Sequence, residues 1–198
     1  MNAPFEPLDI LLENIIEEVA DTLYPPGRRV QLSLAYYRIV LEHHNAIARL
    51  LEIRLHASAF ALARPLYEAL IKGMWLGLIA TEEVAERHAR GKELDQVAPL
   101  IEQLQSTELP PVVSAQLQKV KQKYWKVLSS LTHAGHAQVR NWLNATGVQP
   151  AYEPAALEEL VNFACFMALS AGVEMARLGG NARAIENLSA MLPPHTDN

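Results

Sequence analysis

The chain has 198 residues, enough to bury a core as one domain, and a composition of 50% hydrophobic and 20% charged residues excludes a disordered protein. A net charge of -5 excludes a protein that binds nucleic acid over its whole surface, because such surfaces need a large positive field. We predict a single domain over residues 1–198, with fraying at residues 1–7 and 193–198.

Helical spacing of apolar residues begins near the N-terminus. It predicts a first helix over residues 8–24, ended by the sequence PPG, and a long second helix over residues 28–54, which contain no glycine or proline. A third helix, about residues 57–80, is apolar nearly all round and is expected to be central. Pro65 lies inside it and predicts a kink or restart at Arg64, since an interior proline removes a backbone hydrogen bond.

The rest of the chain also carries helical patterns and helix caps. Thr81, followed by two glutamates, predicts the N-cap of a short helix that Gly91 ends. No run of alternating β-branched residues appears, so the predicted fold is all-α, a single-domain bundle of five to seven helices with a proline-kinked central helix. The further predicted helices cover residues 93–105, 112–132, 137–143, 155–178 and a final piece ending near residue 191.

Several features predict a soluble cytoplasmic protein with no membrane partner. The N-terminus is acidic and lacks the basic flank and apolar stretch of a signal peptide. Cys165, the single cysteine, lies in the apolar run FACFMAL, where burial is expected rather than reactivity, and it can form no intramolecular disulfide. The apolar stretch near residues 57–80 contains residues that a membrane-spanning helix carries only at high cost: Arg64, Pro65, Glu68 and Lys72.

The central helix carries polar side chains along one face. Arg64, Glu68, Lys72 and Trp75 follow each other at spacings of four, four and three residues. Because an unpaired buried charge is costly, these groups are expected either to form an ion-pair ladder along the helix or to line a cavity that admits water or ligand.

A second polar cluster lies in LSSLTHAGHAQVR, residues 128–140. If the helix continues through Gly135, its two histidines share a face with a serine and an arginine, and a histidine can act there as an acid, a base or a ligand. The alternative is that both histidines only bond the last carbonyls of the helix. A metal site with Glu68 is not predicted, because no HExxH or Glu-x-x-His pair is present. The candidate residues of this segment are Ser129, Ser130, Thr132, His133, His136 and Arg140.

Positive charge is concentrated before this cluster. Lys119, Lys123 and Lys126 share a helical face next to Tyr124 and Trp125, so phosphate contacts and base stacking are both available. The competing interpretation is that this basic helix packs against the acidic first helix, in the same chain or in a partner.

The segment ARPLYEALIKGMW (residues 63–75), paired with the later LSSLTHAGH, resembles an uncharacterised family of bacterial all-helical proteins. That family is similar to the HEPN superfamily, many members of which are ribonucleases or nucleotide-binding partners in toxin–antitoxin and phage-defence systems. HEPN ribonucleases carry an Arg followed after four to six residues by a His at a dimer interface. Arg38 with His43 or His44, and Arg49 with His56, have this spacing, although apolar residues follow both arginines where the family usually has a polar one.

The resemblance implies an HEPN-like bundle, dimeric, with RNA or a nucleotide as ligand and no cofactor. We predict a polar pocket between the central helix and residues 128–140, in which the catalytic candidates are Arg64, Glu68, His133 and His136. The candidate ligand-binding residues are Lys72, Trp75, Ser130, Thr132 and Arg140. The alternative is a non-catalytic interaction protein, in which the same side chains form a structural network that fixes the register of the helices.

Overall fold

The computed structural model describes residues 6–107, 109–145 and 147–193, so most of the fraying predicted at the two termini lies outside the described residues. A π-helical segment, Val120–Tyr124, joins the helix that ends at Lys119 to the helix that begins at Trp125 without a break, and β1 (Leu143–Asn144) pairs antiparallel with β2 (Gly147–Val148). The predicted all-α class is confirmed. The α-helices are α1 (Glu6–Val19), α2 (Arg28–Glu52), α3 (His56–Ala61), α4 (Ala63–Leu78), α5 (Glu82–Ala89), α6 (Val97–Leu104), α7 (Pro111–Lys119), α8 (Trp125–Thr132), α9 (His136–Arg140), α10 (Pro154–Leu178) and α11 (Ala182–Ala190).

Helices α2, α4 and α10 form the centre of the bundle, and α1, α6 and α11 pack around them. Helix α4 buries Leu66, Leu70 and Met74 completely, as expected for a helix that is apolar on most of its surface. Helix α10 is buried on every side from Phe166 to Ala176. The centre of the core therefore lies at the crossing of these three helices.

Among the described residues, helix α10, rather than the stretch near residues 57–80, has the length and apolar composition of a membrane-spanning helix. In its most apolar window of 18 residues, 56% of the residues are buried inside the protein. These contacts with α1, α2, α4 and α11 account for much of its apolar sequence.

Pro65 divides the predicted third helix. Helix α3 ends at Ala61, and α4 begins at Ala63, so Pro65 is the third residue of α4, where the backbone N–H has no partner within the helix. The predicted restart at Arg64 is thus confirmed, one residue earlier than expected.

Several predicted helices are shorter than expected, and at the end of α1 a side chain that is distant in sequence stabilises the turn. Helix α1 ends at Val19, and Leu23, which lies within the predicted range 8–24, is 87% exposed. The Asn181 side chain donates to the Glu18 carbonyl oxygen at 3.3 Å and to the Thr22 hydroxyl at 2.9 Å, which stabilises the turn that ends α1. Helix α6 begins only at Val97.

Candidate functional site

Arg64 is the centre of a side-chain cluster between α4 and α8. Its Nε donates to Glu68 Oε1 at 2.7 Å, and its Nη1 lies 3.2 Å from Ser129 Oγ and 3.0 Å from His133 Nε2. The guanidinium carbon lies 4.6 Å from the centroid of the Trp125 ring, a cation–π distance. We call these five residues the Arg64 cluster.

The hydrogen bonds of the cluster indicate which atoms donate and which accept. Arginine can only donate, so in this contact His133 Nε2 is the acceptor. The Ser129 hydroxyl donates to the Trp125 carbonyl oxygen at 2.8 Å and accepts from Arg64. It therefore has no second proton to donate to another group. Within the cluster, His133 is the exposed group.

The predicted ion-pair ladder stops after its first step. The side chains of Arg64 and Glu68 are 22% and 26% exposed and form an ion pair. Lys72, in contrast, forms no salt bridge within the described parts of the chain. Trp75 Nε1 donates to Gln103 Oε1 at 2.8 Å, so this ring is held against α6, away from the Arg64 cluster.

The helix does not continue through Gly135. Helix α8 ends at Thr132, Ala134 has a positive φ of 52°, and α9 begins at His136. The prediction that His133, His136 and Arg140 share a face is therefore wrong, because it required an unbroken helix. His136 and Arg140 are exposed and lie outside the Arg64 cluster.

Ser130 and Thr132 have structural partners. Ser130 Oγ accepts from the Ala137 backbone N–H at 2.9 Å and closes the turn between α8 and α9. Thr132 Oγ1 lies 3.1 Å from the Ala61 carbonyl oxygen and 3.0 Å from that of Leu128, so it ties α8 to the end of α3.

The Arg-to-His spacings in α2 do not bring those residues together. Side chains five or six positions apart point to different sides of a continuous helix. Arg38 is exposed, whereas His44 is completely buried. Arg49 is bonded instead to Asp9 at 2.8 Å and to Glu52 at 3.0 Å.

His56, the histidine of the second spacing, packs against an aromatic ring. The centroid of its imidazole lies 5.0 Å from that of Tyr152 in an edge-on arrangement. Arg49 and His56 therefore have other partners within the chain, whereas an Arg–His pair at a dimer interface, which the resemblance implies, stays a prediction.

A groove of about 940 Å³ lies on the other side of α8, between the continuous run α7 to α8 and the first half of α10. Its floor is apolar and includes Phe60, Leu128, Leu131, Leu160 and Phe166. We call this feature the groove. The polar and aromatic residues that line it include Lys119, Lys123, Tyr124, Arg140, Asn141, Glu159, Asn162 and Phe163.

The charges around the groove are unequal. Three cations line it, Lys119, Lys123 and Arg140, against one carboxylate, Glu159. Burial raises the pKa of Tyr124, and the negative charge of the nearby Glu159 raises it further. Lys119 Nζ lies 5.9 Å from the centroid of the Tyr124 ring. The groove therefore has a net positive lining with one carboxylate near a phenol.

The basic helix does not pack against α1. Lys121 pairs with Glu102 of α6 at 2.9 Å, while Asp9 and Glu18 of α1 are close to arginines in α2 and α11. The predicted contact between basic and acidic helices within one chain is thus wrong. The sequence pattern located the basic wall of the groove but not the opposite wall in α10.

Among the residues that the structure describes, no group of three His, Cys, Asp or Glu side chains is placed to hold a metal ion. Glu68, considered above as a ligand, is bonded to Arg64, and His136 lies outside the cluster.

Comparison with known proteins places the chain in a family. Residues 37–198 match a family of unknown function, DUF6988. The matched residues include both the Arg64 cluster and the groove. No curated protein and no solved structure matches the chain. The similarity to the HEPN superfamily stays a prediction. Because the match covers well over half of the sequence, the chain belongs to the DUF6988 family of unknown function.

Proposed function

We propose that the protein binds a nucleotide or a short single-stranded RNA in the groove. The observation that carries this proposal is the combination of three cations and one carboxylate around a groove of about 940 Å³ that also contains aromatic rings and amides. Phosphates account for much of the affinity of such ligands, and stacking on aromatic rings adds to it without requiring a particular base.

The groove offers a separate partner for each part of the ligand. Lys119, Lys123 and Arg140 provide the positive charge for phosphate oxygens. The rings of Tyr124 and Phe163 provide surfaces for a base, and bases stack on such rings with about 1–3 kcal/mol each. The π-helical segment Val120–Tyr124 forms part of the same wall, and such segments are frequent at functional sites.

The binding test compares two variants with the same loss of charge. The groove variant carries Lys119→Ala, Lys123→Ala and Arg140→Ala, and the control carries Arg87→Ala, Arg90→Ala and Lys92→Ala, three exposed cations around the end of α5. Fluorescence anisotropy with labelled RNA oligonucleotides and calorimetry with nucleotides measure the affinity. We expect the groove variant to bind at least tenfold more weakly, and its logarithmic salt slope for RNA to fall by about 2. The control should bind like the unmodified protein.

Two outcomes would overturn the binding proposal. Equal weakening in both variants would indicate attraction by overall charge, without a role for the groove. An absence of measurable binding to every nucleotide and oligonucleotide by the unmodified protein would reject it directly.

RNA cleavage at the Arg64 cluster is a second candidate, favoured by the 3.0 Å contact between Arg64 and the exposed His133. In this proposal Arg64 binds the phosphate, Glu68 orients the guanidinium, and His133 acts as the acid or base. Arg64→Ala and His133→Ala are then expected to abolish cleavage while the helical circular dichroism is retained. Lys72→Ala, a change on the same helix outside the cluster, serves as the control. Unchanged cleavage in both cluster variants would reject this candidate and leave the proposal for binding in the groove untouched.

A further inference from the structure

A second, smaller pocket of about 250 Å³ lies where the start of α2 meets the ends of α4 and α10. Five of its lining residues carry the argument: Arg29 and Tyr37 from α2, Gly77 from α4, and Glu174 and Arg177 from α10. It shares no lining residue with the groove. An inference about it is therefore independent of the function proposed above.

The polar groups of this pocket are incompletely paired. Glu174 is 3% exposed, yet its ion-pair distance to Arg177 Nη1 is as long as 3.7 Å. The Nε of Arg29 is buried without a hydrogen-bond partner among the described residues, and its Nη1 reaches only the Ala80 carbonyl, at 3.5 Å. Buried charged groups normally have close partners, because an unpaired charge is costly to remove from water.

A further buried hydroxyl lies beside the pocket. Ser33 is completely buried, and its Oγ has no partner within the described chain. It lies 3.3 Å from the position that a Cβ on Gly77 would occupy, and the Tyr37 hydroxyl lies 3.7 Å from the same position. A side chain at this position would crowd Ser33 and Leu178, so the glycine lets the two hydroxyl groups approach the backbone of α4 closely.

The balance of charge indicates the class of ligand. Two guanidinium groups face one carboxylate, so the lining favours an anionic ligand. Glu174 on the same wall can accept a hydrogen bond, so a ligand with both a carboxylate and a donor matches the lining better than a carboxylate alone. The volume lies below the range of about 300–1,000 Å³ typical of sites for drug-sized ligands, so the ligand is a small molecule.

We propose that this pocket binds a small α-hydroxy or α-amino carboxylic acid. The ligand carboxylate bonds Arg29 and Arg177, and its hydroxyl or ammonium group donates to Glu174. The Tyr37 hydroxyl contacts the same polar end. This arrangement supplies a partner to each incompletely paired charge described above.

Calorimetry and thermal shift with four probes test the ligand class on the full chain. The probes are lactate, alanine, propionate and inorganic phosphate. We expect lactate or alanine to bind at least tenfold more tightly than propionate, which has the same carboxylate but no α-donor. Phosphate binding as tight as that of lactate and alanine would overturn the proposal, and so would the absence of binding by both of these acids.

Variants test the location of the site. Arg29→Gln is expected to weaken binding at least tenfold, whereas Arg38→Gln, an exposed arginine on the same helix, leaves it unchanged. Because Arg177→Gln alone leaves Glu174 without its cation, the double variant Glu174→Gln with Arg177→Gln keeps the buried pair neutral and is the better test. Unchanged affinity in folded Arg29→Gln or in the folded double variant would overturn the assignment.

Discussion

The Thr132 hydroxyl lies 3.1 Å from the Ala61 carbonyl oxygen, the acceptor that Pro65, four residues later, cannot bond because it has no N–H. The single hydroxyl proton is shared between this oxygen and the Leu128 carbonyl oxygen at 3.0 Å, so the side chain replaces part of the missing backbone donor at the junction of α3 and α4. The interruption of the helix and its compensation come from segments that are about 70 residues apart.

We expect Thr132→Val to lower the free energy of unfolding by about 1–2 kcal/mol, because the isosteric change removes the donor to a partly buried carbonyl. In a Pro65→Ala background the loss should be smaller, since an alanine at this position brings back an N–H four residues after Ala61. Urea denaturation of the four proteins measures the coupling. Thr107→Val, which removes a hydroxyl bonded to the Leu104 carbonyl, is the control and should cost the same in both backgrounds. Equal costs of Thr132→Val in both backgrounds would reject the explanation.

Arg64→Lys should destabilise the protein although it keeps the charge. The planar guanidinium bonds Glu68, Ser129 and His133 while it stacks on Trp125. The ammonium group of a lysine has no plane to stack and cannot make all of these contacts. We expect a loss of about 1–2 kcal/mol in urea denaturation, consistent with the half-buried ion pair and the stacking that are removed. Lys72→Arg on the same helix should change stability little, and a similar loss in both variants would contradict the proposed role.

Substitutions at the adjacent residues Ala134 and Gly135 should change the stability of the protein in opposite directions. Ala134 has a φ of 52°, so Ala134→Gly is expected to raise stability by about 1 kcal/mol. A Cβ on Gly135 would lie 2.6 Å from Ser130 Oγ and 3.1 Å from Ser130 Cα, so Gly135→Ala should lower stability by about 1–3 kcal/mol. Thermal denaturation of the two single variants gives the signs. The same sign in both would contradict the described turn.

His44 is expected to make stability depend on pH. It is completely buried, neither ring nitrogen has a partner among the described residues, and desolvation lowers its pKa to about 4. The pKa of His44 in the folded protein lies below the unfolded value of 6.5. Its contribution to the free energy of unfolding is therefore complete above pH 6.5 and is lost as the pH falls towards 4, and the largest loss is about 3 kcal/mol.

Urea denaturation between pH 4 and 8 tests the role of His44. The variant His44→Leu should lose most of the slope. His43→Asn should lose less, since burial lowers the pKa of this half-buried neighbour to a smaller extent. A slope that is unchanged in His44→Leu would show that other groups cause the acid sensitivity.

Cys165 should react slowly in the native protein. Burial raises the pKa of its thiol from 9.0 to about 11, which reduces the thiolate fraction at pH 8 by about 100-fold. Reaction with a disulfide reagent at pH 8 is therefore expected to be at least 100-fold faster in guanidinium than in buffer. Comparable rates in both conditions would contradict this environment.

The sequence predicts elements well where the signal is local. Helical spacing identified the long helices, and the predicted N-cap is formed, with Thr81 accepting from the Val84 N–H at 3.3 Å. The end of α1 could not be predicted in this way, because it depends on Asn181, about 160 residues further along the chain. Boundaries set by distant side chains leave little trace in the local pattern.

The candidate site was predictable in part for the same reason. The spacing of four residues correctly paired Arg64 with Glu68, and the polar segment at the end of α8 correctly supplied His133. The position of His136 was missed, because the backbone turn at Ala134 is not visible in helical spacing. The groove requires α10, whose contribution depends on tertiary packing. The homodimer stays a prediction.

The π-helical segment Val120–Tyr124 has a consequence for how the chain tolerates insertions and deletions. A π turn holds one residue more than an α turn, and each residue rotates a helix by about 100°. Because the π turn takes up the extra residue, deleting one residue here would restore regular α hydrogen bonding and leave Trp125 and Ser129 facing Arg64. Leu128 and Leu131 would likewise stay on the side of the groove. Deleting one residue from the start of α8 would instead turn the residues that follow by about 100°, and both sides of α8 would lose their contacts at once.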